Sequence, residues 1–350
     1  MIKFALVGCG RISKKHSELL GKNQIKDGTL VSVCDIDIKK AELLGKQFNI
    51  PYYKDYHEMM QTENIDVVVV LTPSGLHAKH TIDLSKYKKH IIVEKPIALT
   101  LEDADMMIKA CYENSIKLFI IKQNRYNLPV QQLKKALDTN RFGKLVLGTV
   151  RVRWCRTQEY YDQASWRGTW RYDGGVLSNQ ASHHIDLLEW CMGEVESVFA
   201  KSTTSLVDIE TEDTAIVTVK FKNGALGIIE ATTAIRPKDL EGSISIMGET
   251  GSVEIAGFAV NEIKHWNFKE ELVVDNDIDK FSVNPPNIYG FGHKEYYDDV
   301  IKSLKNNTKV MIDGLEGKKS LKLIIAIYES IETGKEVFLK YNTNKCKLGK

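Results

Sequence analysis

Residues 2–20 read IKFALVGCGRISKKHSELL and combine a short apolar run, a turn with two glycines and a helix-like stretch. The run IKFALV (2–7) is typical of a strand buried on both faces. Gly8 permits a tight turn and Gly10 lets the backbone approach a pyrophosphate, while a helix beginning near Arg11 supplies amide donors and a partial positive charge. The stretch therefore predicts a dinucleotide-binding turn. The predicted cofactor contacts in it are Gly8, Gly10, Arg11 and Ile12.

A second strand-like run, LVSVCD (30–35), ends on an acid at the place where dinucleotide-binding folds carry a ribose-binding acid. The carboxylate of Asp35 accepts hydrogen bonds from ribose hydroxyls and repels a 2′-phosphate, which favours NAD over NADP. The alternatives are an ordinary glycine turn and a helix N-cap role for Asp35. Strand, glycines, helix and acid in this order predict NAD binding. Ser13, in place of the usual third glycine, bears on helix packing more than on phosphate binding.

The first 124 residues alternate apolar runs with amphipathic stretches. The apolar runs are 2–7, 30–35, 65–72, 90–95 and 117–122. Between them, KKAELLGKQF (39–48) and LEDADMMIKACYEN (101–114) repeat apolar residues every three or four positions. Apolar strands separated by helices require a parallel sheet covered on both faces. We therefore predict an α/β fold with an N-terminal Rossmann dinucleotide-binding domain over residues 1–124.

Two of these runs end in short polar segments, Thr72-Pro73-Ser74 and Glu94-Lys95-Pro96. Ligands of open α/β sheets bind beyond the carboxyl ends of the strands, so we expect both segments and the nearby His77 to contact the cofactor. The alternative for His77 is an ordinary residue at a helix start, and for Lys95 a solvated lysine at a strand end. The Lys95–Pro96 bond is a candidate for the cis form.

The pattern changes after about residue 145. The strand-like segments there are TAIVTVKF (214–221), ALGIIEAT (225–232), GSISIMG (242–248) and GSVEIAG (251–257). The short turns between them favour an antiparallel sheet in a substrate or assembly domain, which we assign to residues 125–350. The sequence leaves open to which domain the helical stretches 294–304 and 316–333 belong. A segment at 285–297 is a candidate lid or subunit contact, and residues 345–350 are expected to be a disordered tail.

The stretch GGVLSNQASHHIDLLEW (174–190) carries two adjacent histidines near the start of a predicted helix. With 3.6 residues per turn, Asn179, His183 and Trp190 share one helical face, whereas His184 points elsewhere and packs. A lone histidine is more often a satisfied core residue than a base. The adjacent Gly-Gly pair and the lysine of the EKP segment favour a functional role for His183.

The composition excludes several classes of function. Lys plus Arg number 48 against 46 for Asp plus Glu, and the net charge of +2 is too small for nonspecific nucleic-acid binding. Six cysteines without a CxxC pair indicate a reducing cytoplasm rather than disulfides or a thiolate metal site. The sequence shows neither a signal peptide nor the roughly 18 apolar residues of a membrane span. We expect a soluble cytoplasmic protein that binds no metal, nucleic acid or membrane.

The glycine turn at 8–10, the EKP segment at 94–96, KQNRYN (122–127) and the run from Gly-Gly to HHID (174–186) together resemble the Gfo/Idh/MocA family of sugar oxidoreductases. The likeness extends over essentially the whole chain. It implies an N-terminal Rossmann domain and a C-terminal α/β domain, built on a large and mostly antiparallel sheet. It also implies that this second domain binds substrate and assembles dimers or tetramers.

The resemblance also implies a catalytic pair, Lys95 and His183, flanking the reacting hydroxyl. His183 is the histidine of the family's H-x-x-D because Asp186 supplies its aspartate. The family often has an acid where this chain has Asn179, which cannot accept a proton but can hydrogen-bond a sugar or the cofactor amide. A neutral histidine with an ordinary pKa of about 6.5 is a competent base, and a lysine ammonium stabilises developing alkoxide.

Within the family, SWRGTWRYDGGVLSNQASHHIDLLEW (165–190) is similar to members that oxidise the 3-hydroxyl of a UDP-linked N-acetylated sugar. We expect NAD-dependent conversion of UDP-N-acetylglucosaminuronate or UDP-N-acetylglucosamine to a 3-keto sugar in surface-polysaccharide biosynthesis. The alternatives are a dehydrogenase of a free sugar or inositol, and a ligand sensor without catalysis.

Forked guanidinium groups suit the phosphates and the carboxylate of such a substrate, with surface salt bridging as the alternative role. The expected substrate contacts are Lys95, Arg125, Tyr126, Arg167, Asn179 and His183, and Arg167 is also expected to contact the cofactor. Arg171 is a further candidate to which the sequence assigns no definite role.

Overall fold

The computed structural model describes residues 1–283, 285, 290–340 and 346–350. The chain forms two compact units. The N-terminal unit comprises residues 1–122 and 293–318, and the C-terminal unit comprises residues 123–292 and 319–350. The helix over 292–306 thus belongs mainly to the N-terminal unit, a choice that the sequence left open. Within the described part of the chain, no helix has both the length and the apolar character needed to cross a membrane.

The N-terminal unit contains a six-stranded parallel sheet in the order β3-β2-β1-β4-β5-β6, the strand order of a Rossmann fold. Its strands are β1 (Ile2–Val7), β2 (Gly28–Cys34), β3 (Tyr52–Tyr53), β4 (Val67–Val70), β5 (His90–Val93) and β6 (Leu118–Ile120). Its first helices are α1 (Ser13–Gly21), α2 (Ile38–Phe48), α3 (Tyr56–Thr62), α4 (His77–Ser85) and α5 (Leu101–Glu113). All four valines of β4 are buried, because helices cover both faces of the sheet.

The C-terminal unit contains an eight-stranded sheet in the order β13-β12-β11-β7-β10-β9-β8-β14. Its strands are β7 (Leu145–Arg153), β8 (Val195–Thr203), β9 (Thr214–Phe221), β10 (Leu226–Thr232), β11 (Glu241–Gly248), β12 (Gly251–Ala256), β13 (Glu262–Phe268) and β14 (Val337–Phe338). The helices that follow α5 are α6 (Leu128–Asp138), α7 (Gln158–Asp162), α8 (Ser182–Met192), α9 (Gly292–Asn306) and α10 (Gly314–Thr333). Only the β7–β10 pair of this sheet is parallel in the described residues. The predicted fold class is therefore confirmed.

Helix α8 packs closely on one face of this sheet. A Cβ atom on Gly148 of β7 would lie 2.7 Å from Met192 Cγ and 2.9 Å from Leu188 Cδ1, both on α8. Glycine at position 148 therefore sets the depth at which the helix bearing His183 sits on the sheet.

The last residues of the chain are packed, not free. Leu348 is 1% exposed, and the Gly349 amide donates to the Trp170 carbonyl at 2.8 Å. The predicted disordered tail is therefore wrong for residues 346–350, because an apolar side chain among the terminal lysines finds a buried site. Lys345 lies outside the described residues, and so do residues 286–289 of the candidate lid at 285–297.

A buried acid supports the Gly-Gly turn before α8. The Glu212 Oε1 atom accepts hydrogen bonds from the Leu177 amide at 3.0 Å and from the Tyr328 hydroxyl at 2.9 Å. A Cβ atom on Gly175 would lie 2.3 Å from Glu212 Cδ, so only glycine fits at position 175. Burial raises the pKa of Glu212 to about 7.

Replacing Glu212 by Gln is expected to flatten the dependence of stability on pH. The pKa of this acid is higher in the folded than in the unfolded chain. Its contribution to the free energy of unfolding is therefore fully present below pH 4.5 and is lost as the pH rises through 7. The loss amounts to about 3 kcal/mol. Thermal denaturation between pH 5 and 8 should show a steeper fall of Tm for the wild type than for Glu212→Gln. Glu271→Gln at an exposed position is the control, and equal slopes for all three proteins would contradict the prediction.

Candidate active site

The glycine turn after β1 has the shape that a pyrophosphate requires. Gly8 has φ of 106°, and a Cβ atom there would lie 2.8 Å from the Leu71 carbonyl group. A Cβ atom on Gly10 would meet nothing within 4 Å, so the backbone is open to a ligand. The Asp35 carboxylate accepts hydrogen bonds from the Cys9 amide at 2.7 Å and the Asp37 amide at 2.8 Å, which fix it at the end of β2. These residues fit a dinucleotide with free ribose hydroxyls.

His77 joins the two polar segments that follow β4 and β5. Its Nδ1 atom lies 2.8 Å from the Pro96 carbonyl oxygen and its Nε2 atom 2.9 Å from the Thr72 carbonyl oxygen. Complete burial lowers the pKa of His77, so desolvation favours the neutral ring. The Lys95–Pro96 bond is cis. The structure thus gives His77 a supporting position between the two segments, and its contact with a cofactor stays a prediction.

Glu94 is hydrogen-bonded by His16, lies near His293 and accepts a hydrogen bond from the backbone of Lys95. His16 Nε2 lies 3.1 Å and His293 Nε2 3.9 Å from Glu94 Oε1, while the Lys95 amide donates to Oε2 at 2.9 Å. Burial by itself raises the pKa of Glu94, but the histidines outweigh it and keep this pKa well below its usual value. The ionised carboxylate therefore fixes Lys95 at the end of β5.

The same three side chains have potential metal-binding atoms within 4.8 Å of one another. A tetrahedral zinc ion would bring neighbouring ligand atoms to about 3.4 Å. The 3.1 Å contact between His16 and Glu94 is explained by a hydrogen bond, and the other ring nitrogen of His16 lies 2.7 Å from the Tyr297 hydroxyl. We interpret the cluster as a support for Lys95.

The two histidines of α8 have different surroundings. The helix begins at Ser182, so Asn179 lies in the preceding turn and not on the helical face on which we expected it. His183 is 8% exposed, and its Nε2 atom is 3.0 Å from the amide nitrogen of Gln123. His184 packs edge-on against Trp154, and burial lowers the pKa of His184 to about 3. His184 is therefore a neutral packing residue, as its helical phase predicts.

Arg125 and Asp186 form a buried ion pair with two hydrogen bonds. Arg125 Nε and Nη2 each donate to the carboxylate at 2.7 Å. The Trp190 ring centroid lies 4.9 Å from the guanidinium carbon, which adds a cation–π contact. Two guanidinium nitrogens are committed to Asp186, so the geometry shows a structural role. The contact of Arg125 with substrate stays a prediction.

Two of the remaining predicted substrate residues, Asn179 and Arg167, contact Asp173 and Tyr160 respectively. Asn179 donates its amide hydrogen to Asp173, whose other carboxylate oxygen accepts from the Gly168 amide at 2.9 Å. An acid at position 179 would place a second carboxylate beside Asp173, which is unfavourable when both are ionised. Arg167 lies 4.3 Å from the Tyr160 ring centroid. Tyr126 is buried and Arg171 is exposed.

Several residues that shape this site were not predicted from the sequence, among them Gln123, Asp173 and Glu212. Gln123 follows the end of β6, so the strand-end rule that identified Thr72 and Lys95 applies to it as well. Asp173 and Glu212 carry no such signal, because their roles come from partners distant in the chain.

Comparisons with known proteins agree with this geometry. Residues 2–121 match the NAD-binding Rossmann fold of the Gfo/Idh/MocA oxidoreductase family, and residues 134–339 match its C-terminal alpha/beta domain. The chain is 28% identical to the myo-inositol 2-dehydrogenase of Thermotoga maritima, over 97% of this chain and 99% of that protein.

Two solved structures share more of the sequence. The WlbA dehydrogenase of Chromobacterium violaceum, in complex with NADH and UDP-GlcNAcA, is 45% identical with a TM-score of 0.91, over 96% of this chain and 95% of that one. The WlbA dehydrogenase of Bordetella pertussis, in complex with the same two ligands, is 42% identical with a TM-score of 0.93, over 97% and 98%. The chain is therefore an NAD-binding oxidoreductase and belongs to the Gfo/Idh/MocA family.

Proposed function

We propose that this enzyme oxidises the 3-hydroxyl of a UDP-linked N-acetylated sugar, with UDP-N-acetylglucosaminuronate first and UDP-N-acetylglucosamine second. The observation that carries the proposal is the 42–45% identity to two dehydrogenases in complex with NADH and UDP-GlcNAcA, over nearly the whole of each chain. The product is a 3-keto sugar. We place the reaction in surface-polysaccharide biosynthesis and in the cytoplasm, where the six free thiols of this chain remain reduced.

His183 is proposed as the general base and Lys95 as the group that stabilises the developing alkoxide. Bound NAD supplies the acceptor for the hydride that leaves the oxidised carbon. Two observations support the roles. Lys95 is fixed through its backbone by an ionised carboxylate, and His183 is held by an amide that can accept or donate a hydrogen bond. A base positioned in this way contributes about 10²–10⁴ in rate.

The proposed ligand contacts are the residues that the sequence predicted. The proposed cofactor contacts are Gly8, Gly10, Arg11, Ile12, Asp35, Thr72, Pro73, Ser74, His77, Glu94, Lys95 and Arg167. The proposed substrate contacts are Lys95, Arg125, Tyr126, Arg167, Asn179 and His183. Gly8, Gly10 and Asp35 have the best structural support, because the turn is open where a pyrophosphate would approach.

A second candidate function is oxidation of a free polyol. The 28% identity to a myo-inositol 2-dehydrogenase over the full length of both proteins supports it. It ranks second because the identity is lower than that to the two UDP-sugar complexes.

We also propose that the enzyme is a homo-oligomer, a dimer or tetramer, assembled through the open face of the large sheet. The strand register places five exposed apolar side chains on that one face. They are Phe199, Ile216, Leu226, Ile228 and Met247. Polar residues such as Thr218 and Lys220 lie across from them on this face, and several exposed apolar side chains on one sheet face favour an interface between protein chains.

Removing either proposed catalytic side chain is expected to lower turnover by at least about 10² while NADH still binds. His183→Ala removes the base and Lys95→Ala removes the cation. Steady-state kinetics and NADH fluorescence titration measure the two effects separately. His265→Ala and Lys79→Ala, both at exposed positions, are the matched controls. Near wild-type kcat in both active-site variants would refute the assignment.

The substrate class can be tested by thermal shift in the presence of NADH. A ligand at about 100 times its Kd stabilises the folded protein by about 2.7 kcal/mol. We expect UDP-N-acetylglucosaminuronate to raise Tm more than UDP alone, and myo-inositol to leave it unchanged. Stabilisation by myo-inositol alone would favour the second candidate function.

Two negative charges on the open face of the large sheet are expected to dissociate the oligomer. Ile216→Glu combined with Ile228→Glu would bury two carboxylates in an apolar contact, which is unfavourable without partners. Sedimentation velocity should then report a 39.7 kDa monomer in place of a larger species. Leu43→Glu, at an exposed apolar position of α2, is the control. A wild-type protein that sediments as a monomer would contradict the proposal.

A further inference from the structure

Gln123 contacts the proposed base, His183, and has no role yet in the proposed function. It begins the 3₁₀ turn 123–126 that follows β6 and is 4% exposed. Its Nε2 atom lies 3.0 Å from His183 Nε2. The ion pair between Arg125 and Asp186 connects the same turn to the same helix, so the two contacts hold α8 at two successive points.

The chemistry of this contact depends on which ring nitrogen of His183, Nδ1 or Nε2, carries the hydrogen. With the amide nitrogen facing it, His183 Nε2 must offer a lone pair and so carries no hydrogen, which leaves Nδ1 protonated and no free lone pair for a substrate proton. The Gln123 Oε1 atom is buried and has no hydrogen-bond partner among the described residues. Rotation of the amide group by half a turn would bring this oxygen to His183 Nε2, where it accepts a hydrogen bond from Nε2–H.

We propose that Gln123 is a positioning residue: with its Oε1 atom turned to His183, it accepts a hydrogen bond from Nε2–H and leaves Nδ1 unprotonated to take the proton of the substrate hydroxyl. The inference rests on the proposed function, in which His183 is the general base. A base must change its protonation state within each turnover. A carboxylate at position 123 would favour the imidazolium, and an apolar side chain would leave a buried ring nitrogen without this partner. Nε2 keeps its hydrogen in both the neutral and the protonated ring, so the amide oxygen serves both states.

The test measures the pKa of His183 directly. Wild type, Gln123→Glu and Gln123→Met are labelled at histidine Cε1 and titrated by NMR, with the His183 signal assigned from its loss in His183→Ala. We expect Gln123→Glu to raise the pKa of His183 by about one unit or more and Gln123→Met to lower it. Gln132→Glu, a half-exposed position on α6, adds the same charge and should leave this pKa unchanged. Retained NADH binding shows that each variant is folded.

The pH dependence of kcat/KM separates this inference from the proposed function. The low-pH limb should move with the NMR pKa, upward in Gln123→Glu and downward in Gln123→Met, and kcat should fall more than KM rises. An unchanged His183 titration in both variants would overturn the role of Gln123, whatever the activity. A shifted titration with an unshifted kinetic limb would leave the role of Gln123 intact and refute His183 as the base.

Discussion

The buried ion pair between Arg125 and Asp186 is the contact on which the geometry of the proposed base depends. It joins the turn after β6 to the second turn of α8 through two hydrogen bonds of 2.7 Å, and both side chains are at most 3% exposed. Loss of one partner would deprive the other buried charge of this ion pair, and breaking a buried pair in this way typically costs about 3–5 kcal/mol. The pair therefore fixes α8 relative to this turn, and with it the distance between Gln123 and His183.

Acidic side chains support several other segments near the predicted ligand contacts, each through a different partner. Asp35 accepts from backbone amides, Glu94 contacts histidines, and Asp173 accepts from the amide group of Asn179. Burial raises the pKa of Glu212 to about 7, and this acid forms no salt bridge within the described part of the chain. A buried carboxylate must be ion-paired, hydrogen-bonded or protonated, and this chain uses all three solutions.

Much of the fold could be predicted from the local pattern of apolar and polar residues in the sequence. The parallel strands were recognisable because continuous apolar runs such as β4 are buried on both faces. The predictions for the second unit omitted the two-residue β14 and three longer strands, β7, β8 and β13, whose segments are LVLGTVRVR, VESVFAKST and EIKHWNF. These strands are half-buried or lie at an edge, so polar residues interrupt the apolar signal. Asn179 was placed on a helical face because the 3.6-residue period was extended back beyond Ser182, where the helix begins.

By itself, the sequence determined the fold class, the glycine turn with its acid, and the strand ends that present Thr72 and Lys95. These features depend on residue periodicity and on backbone conformations set by near neighbours. Only the tertiary structure decided that Arg125 pairs with Asp186, 61 residues away, and that Gln123 reaches His183 across 60 residues. Such pairings follow from how a turn and a helix are packed together, and no local pattern in the chain encodes that packing.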